Sequence, residues 1–320
     1  MNAAAGPAPV LAALSAERAE GPGPDDATLA LAAGLAADEG APLAAVMAAA
    51  LPRDIDALAH AASLTPEAMR SRMTAVLARR LDALCSATAP DAAREVRLGK
   101  PFVEIIRAVQ ARGAGLLVKA AEDLPSASAA LLASTDQHLI RKCPCPVWLV
   151  RGGAARPRRV VAAIDVTEPD ERALNLAIVA AAARVAHPDG AEIRLLHAWQ
   201  AEGEGMVRMW SDDSAAFDRY LAEVEHDHAS AMRAFAEEAR AHLAALGATA
   251  RLTPVLRRGA PRRAIPRDVA EHKAEALVLG TLSRSGIPGL LIGNTAEDVL
   301  NAVSCSVVAV KPEGYESPIR

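Results

Sequence analysis

The chain has 320 residues, room for two ordinary domains, and 52% of them are hydrophobic, so there is apolar material for real cores. Aromatic residues make up only 2% and the net charge is −4, which gives no reason to expect a polyanion partner or a base-stacking surface. Four cysteines (Cys85, Cys143, Cys145, Cys305) are too few for a disulfide framework and are expected to be reduced thiols.

The opening MNAAAGPAPVLAAL lacks the basic n-region of a secretory signal. The most apolar window, Ala177 to Ala186, contains Arg184 and is too short to span a bilayer. These features predict a soluble, cytoplasmic protein with no membrane partner.

The chain repeats itself. GKPFVEI at Gly99 and GAPRRAI at Gly259 share a Gly-x-Pro-x-x-x-Ile pattern, 160 residues apart. CPVWLVR at Cys145 and CSVVAVK at Cys305 keep the same offset of 160. Earlier segments, VLAALS at Val10 against VVAAID at Val160 and APLAAVMAA at Ala41 against AEIRLLHAW at Ala191, keep an offset of 150. So period and length describe two copies of one domain, 1–152 and 158–320, joined through GGAARP. The second copy carries ten extra residues between Trp199 and Gly259, assigned to or near EGEGMVRMWSDDS, Glu202 to Ser214.

Taken in chain order, the second copy opens with a buried strand, RVVAAIDV (Arg159 to Val166), and a helix from Glu168 to His187. Pro188-Asp189-Gly190 is a turn, and Ile193 to Trp199 a second strand. A long helical stretch, Ala215 to Leu246, precedes a third strand, Ala248 to Leu256. Pro261 opens a helix, Ala276 to Gly280 is a fourth strand, and Ser306 to Val310 a fifth. This alternation predicts an α/β fold: two tandem doubly wound parallel-sheet domains of five strands each. With strand order 3-2-1-4-5, Asp165 and Gly280 end neighbouring strands and face each other across the crevice where the order reverses.

Gly280 to Thr295 reads GTLSRSGIPGLLIGNT. Glycines allow backbone N–H groups to approach an anion closely, and a following helix adds unpaired N–H groups. The same features also fit a plain strand-to-helix connection: Pro288-Gly289 is a turn pair, and Asn294 with Glu297 has capping-box spacing. A Walker motif is absent, because no Gly-Lys-Ser/Thr follows.

The pattern Gly280-x-x-Ser283-x9-Gly293-Asn294-Thr295 resembles the nucleotide loop of the universal stress protein family, Gly-x-x-Gly-x9-Gly-Ser/Thr. VVAAID, GAPRRAI and CSVVAVK match the same family, nearly the whole chain is covered twice, and the tandem-domain, UspE-like subgroup is the most similar. The resemblance implies the adenine nucleotide alpha hydrolase-like fold and a stress-response protein that binds or signals rather than turns over substrate. It implies ATP or another adenine nucleotide as cofactor, with metal entering only as nucleotide-associated Mg. Asp165 would approach ribose or adenine, and Ala198 would offer backbone to the base. Leu279 and Gly280 would line the nucleoside. Ser283, Arg284, Gly293, Asn294 and Thr295 would surround the phosphates. Ser283 replaces the second glycine and Asn294 the Ser/Thr, which leaves two other readings open: a small-molecule or lipid binder, and a slow ATPase or autophosphorylating protein. In the first copy Ser15 replaces the aspartate, and Ala120, Asp123, Ala133 and Ser134 take the four loop positions, so that copy is expected not to bind nucleotide there. The family pairs through last strands, which implies an internal pseudo-dimer and allows a homodimer.

Other constellations carry less. In EHDH, Glu225 and His228 share a helix face without His226, which favours a solvated face over a metal site. Cys143-Pro-Cys145 lacks redox spacing. Arg257, Arg258, Arg262, Arg263 and Arg267 form a basic cluster suited to phosphates, to an acidic partner, or simply to a charged surface. Met206, Met209 and Trp210 are read as packing on the domain core, or else as covering the crevice. No nucleophile-base pair or paired carboxylates stand at a telling spacing, so nothing points to an enzyme, and nucleic acid is not an expected partner.

Overall fold

Short apolar runs bounded by turn residues become parallel strands, because burial on both faces rewards continuous hydrophobicity over alternation. The computed structural model describes residues 6–17, 23–122, 134–153, 155–210, 214–281 and 293–320. Ser283 and Arg284, with the rest of 282–292, lie outside them, as do Asp123 and Ala133.

The chain forms two units, one of Met1–Ala155 with Gly314–Arg320, the other of Arg156–Ser285 with Ile292–Glu313. The first contains β1 (Val10–Leu14), α1 (Pro24–Glu39), β2 (Leu43–Ala49), α2 (Ile55–Ala61), α3 (Pro66–Thr88), β3 (Ala93–Leu98), α4 (Pro101–Arg112), β4 (Leu116–Ala120), α5 (Thr135–Lys142) and β5 (Val147–Val150). Its strands run parallel in the order β3-β2-β1-β4-β5. Tyr315 donates to the Arg141 carbonyl at 2.9 Å, tying the C-terminal tail into this unit.

The second unit repeats the plan: β6 (Arg159–Ala163), α6 (Arg172–Val185), β7 (Glu192–Trp199), α7 (Glu204–Trp210), α8 (Ser214–Ala245), β8 (Arg251–Arg258), α9 (Pro261–Glu271), β9 (Ala276–Gly280), α10 (Asn294–Ala302) and β10 (Ser306–Val310). Its strands run parallel in the order β8-β7-β6-β9-β10, which is 3-2-1-4-5 counted within the copy. The middles of the central strands are buried; Val160, Val161, Ala162, Leu277 and Val278 have no exposed surface. Pro254 sits in β8, which pairs on one side only, the place where a missing N–H costs least.

Four local readings change. β6 stops at Ala163, so Asp165 lies in the turn beyond the strand rather than at its end. The helix expected from Glu168 begins at Arg172, after a 3-10 turn at Pro169–Glu171, the kind of tightened turn common at helix starts. The extra length of the second copy lies mainly in α8, which has 32 residues against 23 in α3, while α2 and α7 both have seven. Met206 and Met209 on α7 are 51% and 73% exposed, so they do not pack on the core as expected; the Trp210 side chain is not among those described.

Candidate functional site

The strand order reverses between β6 and β9, where the chain leaves β6 for β7 on one side and β9 for β10 on the other. Ligands of doubly wound sheets sit beyond the carboxyl ends at such a point. Here the second unit opens a crevice of about 510 Å³. The structure brings Asp165, Ala198, Leu279, Gly280, Gly293, Asn294 and Thr295 together around it.

Asp165 is held by its backbone. Its N–H donates to Asn175 Oδ1 at 3.2 Å, and its carbonyl accepts from Asn175 Nδ2 at 2.6 Å. Asn175 is 2% exposed, so both hydrogen bonds are made out of water. The Asp165 carboxylate accepts from the Thr167 N–H at 3.2 Å and hydroxyl at 2.8 Å, closing an Asx turn that sets its direction.

Gly280 lies directly under the Leu174 side chain. A Cβ there would stand 2.9 Å from Leu174 Cδ2, so α6 approaches β9 closely over this residue. The first copy has Ala120 at this place and Pro24 where Leu174 stands, at offsets of 160 and 150. Leu174, Ile178, Ile265 and Val299 give the crevice an apolar wall that the sequence reading did not assign.

α10 begins at Asn294, with Gly293 as N-cap and no side-chain cap. Asn294 is therefore the first helical residue and not the cap expected from its spacing with Glu297. The first-turn amides of a helix have no intrahelical acceptor, so Asn294 and Thr295 present N–H groups at the crevice edge. In the first unit the corresponding helix is capped by its own Ser134, whose Oγ accepts from the Gln137 N–H at 3.3 Å.

His197 lines the crevice and is 4% exposed. Its Nδ1 lies 3.2 Å from the Ile164 carbonyl, which only accepts, so Nδ1 carries the proton. Nε2 then accepts from His228 Nδ1 at 2.9 Å. The His228 ring in turn stacks on Trp199, centroids 5.1 Å apart. Burial lowers the pKa of both histidines, against the raising pull of the Asp165 carboxylate, 3.9 Å from His197. Glu225 and His226 are exposed as expected, but His228 turns inward. No local signal marks it, because its partner lies 31 residues away. Among the described residues no group of three metal-ligating side chains assembles.

The first unit fills the matching place with charge. Lys119 and Asp136 stand where the second copy has Leu279 and Ala296, at the offset of 160. They form an ion pair at 2.7 Å, and the other Asp136 oxygen accepts from the Glu122 N–H at 2.7 Å. Ser15 replaces Asp165, and its N–H donates to Asp25, the residue matching Asn175, at 3.0 Å.

No helix among the described residues is long and apolar enough to cross a membrane. The model of the universal stress protein family matches the chain twice, over residues 19–151 and 157–311. Universal stress protein E of Escherichia coli K12 is 31% identical over 229 residues, covering 69% of this chain and 68% of that protein. The homologue in Haemophilus influenzae is 30% identical over 203 residues, 62% of each chain. Among solved structures, a functionally unknown protein from Pseudomonas aeruginosa PAO1 shares the fold at a TM-score of 0.61, with 23% identity over 95% of this chain and 92% of that one. A universal stress protein from Archaeoglobus fulgidus does so at 0.59, with 17% identity over 96% and 97%. This chain belongs to the universal stress protein family and carries two tandem copies of its domain.

Proposed function

We propose that the second unit binds ATP or a related adenine nucleotide in the crevice between β6 and β9, and that the protein acts in stress response by binding and signalling. One observation carries this reading: seven residues singled out for a nucleotide, from four separate segments of the chain, surround a single crevice at the switch point. Asp165, aimed by Asn175 and Thr167, faces the ribose or base, and the backbone of Ala198 meets the base edge. The free first-turn amides of α10 at Asn294 and Thr295 meet the phosphates, joined by Ser283 and Arg284 and by any Mg the nucleotide brings. The first unit does not bind nucleotide at the matching place, where Lys119 and Asp136 satisfy each other. Equilibrium binding of labelled ATP to the full chain tests this. Binding by the wild type, abolished by Gly293→Val in a folded protein, is expected; unchanged affinity in that variant overturns the reading.

The apolar wall of Leu174, Ile178, Ile265 and Val299 favours a second reading, a small-molecule or lipid ligand in place of the nucleotide. Native mass spectrometry of the purified chain separates the two, by a co-purified nucleotide mass or a lipid mass. Incubation with γ-labelled ATP tests for slow hydrolysis or autophosphorylation through released phosphate or labelled protein.

A further inference from the structure

A second cavity of the same unit, about 660 Å³, lies at the carboxyl end of β8 and the start of α9. Arg257, Arg258, Arg262, Arg263 and Arg267 line it, and among the described residues no acidic side chain does. Three of these arginines have acids of their own: Arg257 pairs with Asp268 at 2.7 Å and Glu271 at 3.0 Å, Arg267 with Glu271 at 2.7 Å, and Arg258 with Glu204 at 2.7 Å. Those pairs hold the guanidiniums in place around the cavity. Arg262 and Arg263 are exposed and have no acid partner among the described residues. They occupy the first turn of α9, which contains no acid and whose N-cap, Ala260, makes no side-chain cap. Two cations at the positive end of a helix dipole are unfavourable by themselves. An anion seated there reverses the sign of that interaction.

We infer that this groove is a binding site for a small oligophosphate, separate from the crevice between β6 and β9. Guanidinium forks match phosphate oxygens bidentately, and several converging forks select a ligand with more than one phosphate. The volume is that of a small-molecule site. Among the described residues no aromatic side chain lines the groove for bases to stack on, which sets a nucleic acid strand aside. The oligophosphate is either free, as an inorganic chain, or the phosphate chain of a nucleotide.

The test is calorimetric titration of the full chain with inorganic tripolyphosphate, with Trp199 fluorescence as a local reporter, since Arg258 lies 6.0 Å over its ring. The wild type is expected to bind, and more weakly as salt rises. Arg262→Glu with Arg263→Glu is expected to weaken binding at least about tenfold. That variant places acids where the dipole favours them, so its Tm should not fall. Gly293→Val, altered in the other crevice, should bind tripolyphosphate as the wild type does. The same titrations with ATP in the Gly293→Val background identify the source: heat that disappears with the two glutamates assigns a nucleotide chain, and absence of heat assigns a free oligophosphate. Failure of the wild type to bind tripolyphosphate, or unchanged affinity in the double glutamate variant, overturns the inference.

Discussion

Asn175 clasps the backbone of Asp165 from both sides, accepting from its N–H at 3.2 Å and donating to its carbonyl at 2.6 Å. A carboxyl group at position 175 could not make both bonds while ionised, because it only accepts. The first copy shows the alternative: Asp25 accepts from the Ser15 N–H with both oxygens, at 3.0 and 3.2 Å, and takes Arg80 as counterion at 3.4 Å. Asn175→Ala removes the Asn175 side-chain partner of two part-buried backbone groups and is expected to cost about 1–3 kcal/mol. It should also weaken nucleotide binding, because the Asp165 turn loses its anchor. Chemical denaturation and ATP titration of this variant check both effects.

Asp25 gives the reciprocal expectation. Burial raises the pKa of its carboxyl, with the Ser15 N–H and Arg80 pulling the other way. A raised folded pKa means the native state binds more protons than the unfolded chain just above pH 3.8, so this group makes stability fall as pH rises through that window. Asp25→Asn removes the charge and restores the two-sided clasp of Asn175, so it is expected to keep stability at neutral pH within about 1 kcal/mol of wild type. Asp25→Ala, measured by the same denaturation, should lose more.

The Lys119–Asp136 pair has side chains 14% and 11% exposed, so neither charge is well solvated once its partner is gone. Asp136→Ala alone is expected to cost about 1–3 kcal/mol, since the Glu122 N–H loses its acceptor and Lys119 keeps the Glu122 carboxylate at 3.4 Å and the Ala120 carbonyl at 2.9 Å. Lys119→Leu with Asp136→Ala, the residues of the second copy, should cost less than the two single changes together. A double-mutant cycle by urea denaturation measures the coupling, expected at about 1–3 kcal/mol.

His197 and His228 both have pKa values lowered by burial. In the unfolded chain a histidine takes up its proton near pH 6.5, while the buried rings resist it. Below that pH the unfolded state binds more protons, so stability falls as pH drops from about 6.5 through the folded pKa. A proton on His197 Nε2 also breaks the acceptor side of the 2.9 Å bond to His228. The first copy has Met47 at the matching position, with no exposed surface. His197→Met is therefore expected to narrow the difference in Tm between about pH 7.5 and about pH 5.5; His272, also lowered by burial, keeps it from vanishing.

Gly280→Ala sets its Cβ 2.9 Å from Leu174 Cδ2. The contact is with the far end of a flexible side chain, so Leu174 turns rather than the backbone moving. Stability is expected to change by less than about 1 kcal/mol, with reduced unfolded-chain entropy offsetting the crowding. Because Leu174 lines the crevice, ATP affinity should drop; an unaltered dissociation constant would show that this wall does not touch the ligand.

The sequence by itself determined the repeat, the strand-helix alternation and the positions of β9 and β10, which match the apolar runs Ala276–Gly280 and Ser306–Val310 residue for residue. These features are periodic or local, and in a parallel sheet buried on both faces an apolar run is its own boundary marker. It also marked Asp165, Gly280 and Gly293 to Thr295, because strand ends and helix starts of an α/β fold fall beside the switch point. Only the tertiary structure decided the rest. Asn175, His197 and His228 reach the site from three elements, and nothing in their local pattern separates them from an ordinary helix or strand residue. Gly280 read as a ligand glycine, and only the structure places it directly under the Leu174 side chain. Arg262 and Arg263 read like their neighbours; only the structure shows that Asp268, Glu271 and Glu204 serve the other three arginines and that these two have no acid partner among the described residues. Charge counts follow from composition, but charge pairing depends on distances across elements, which a linear pattern does not hold.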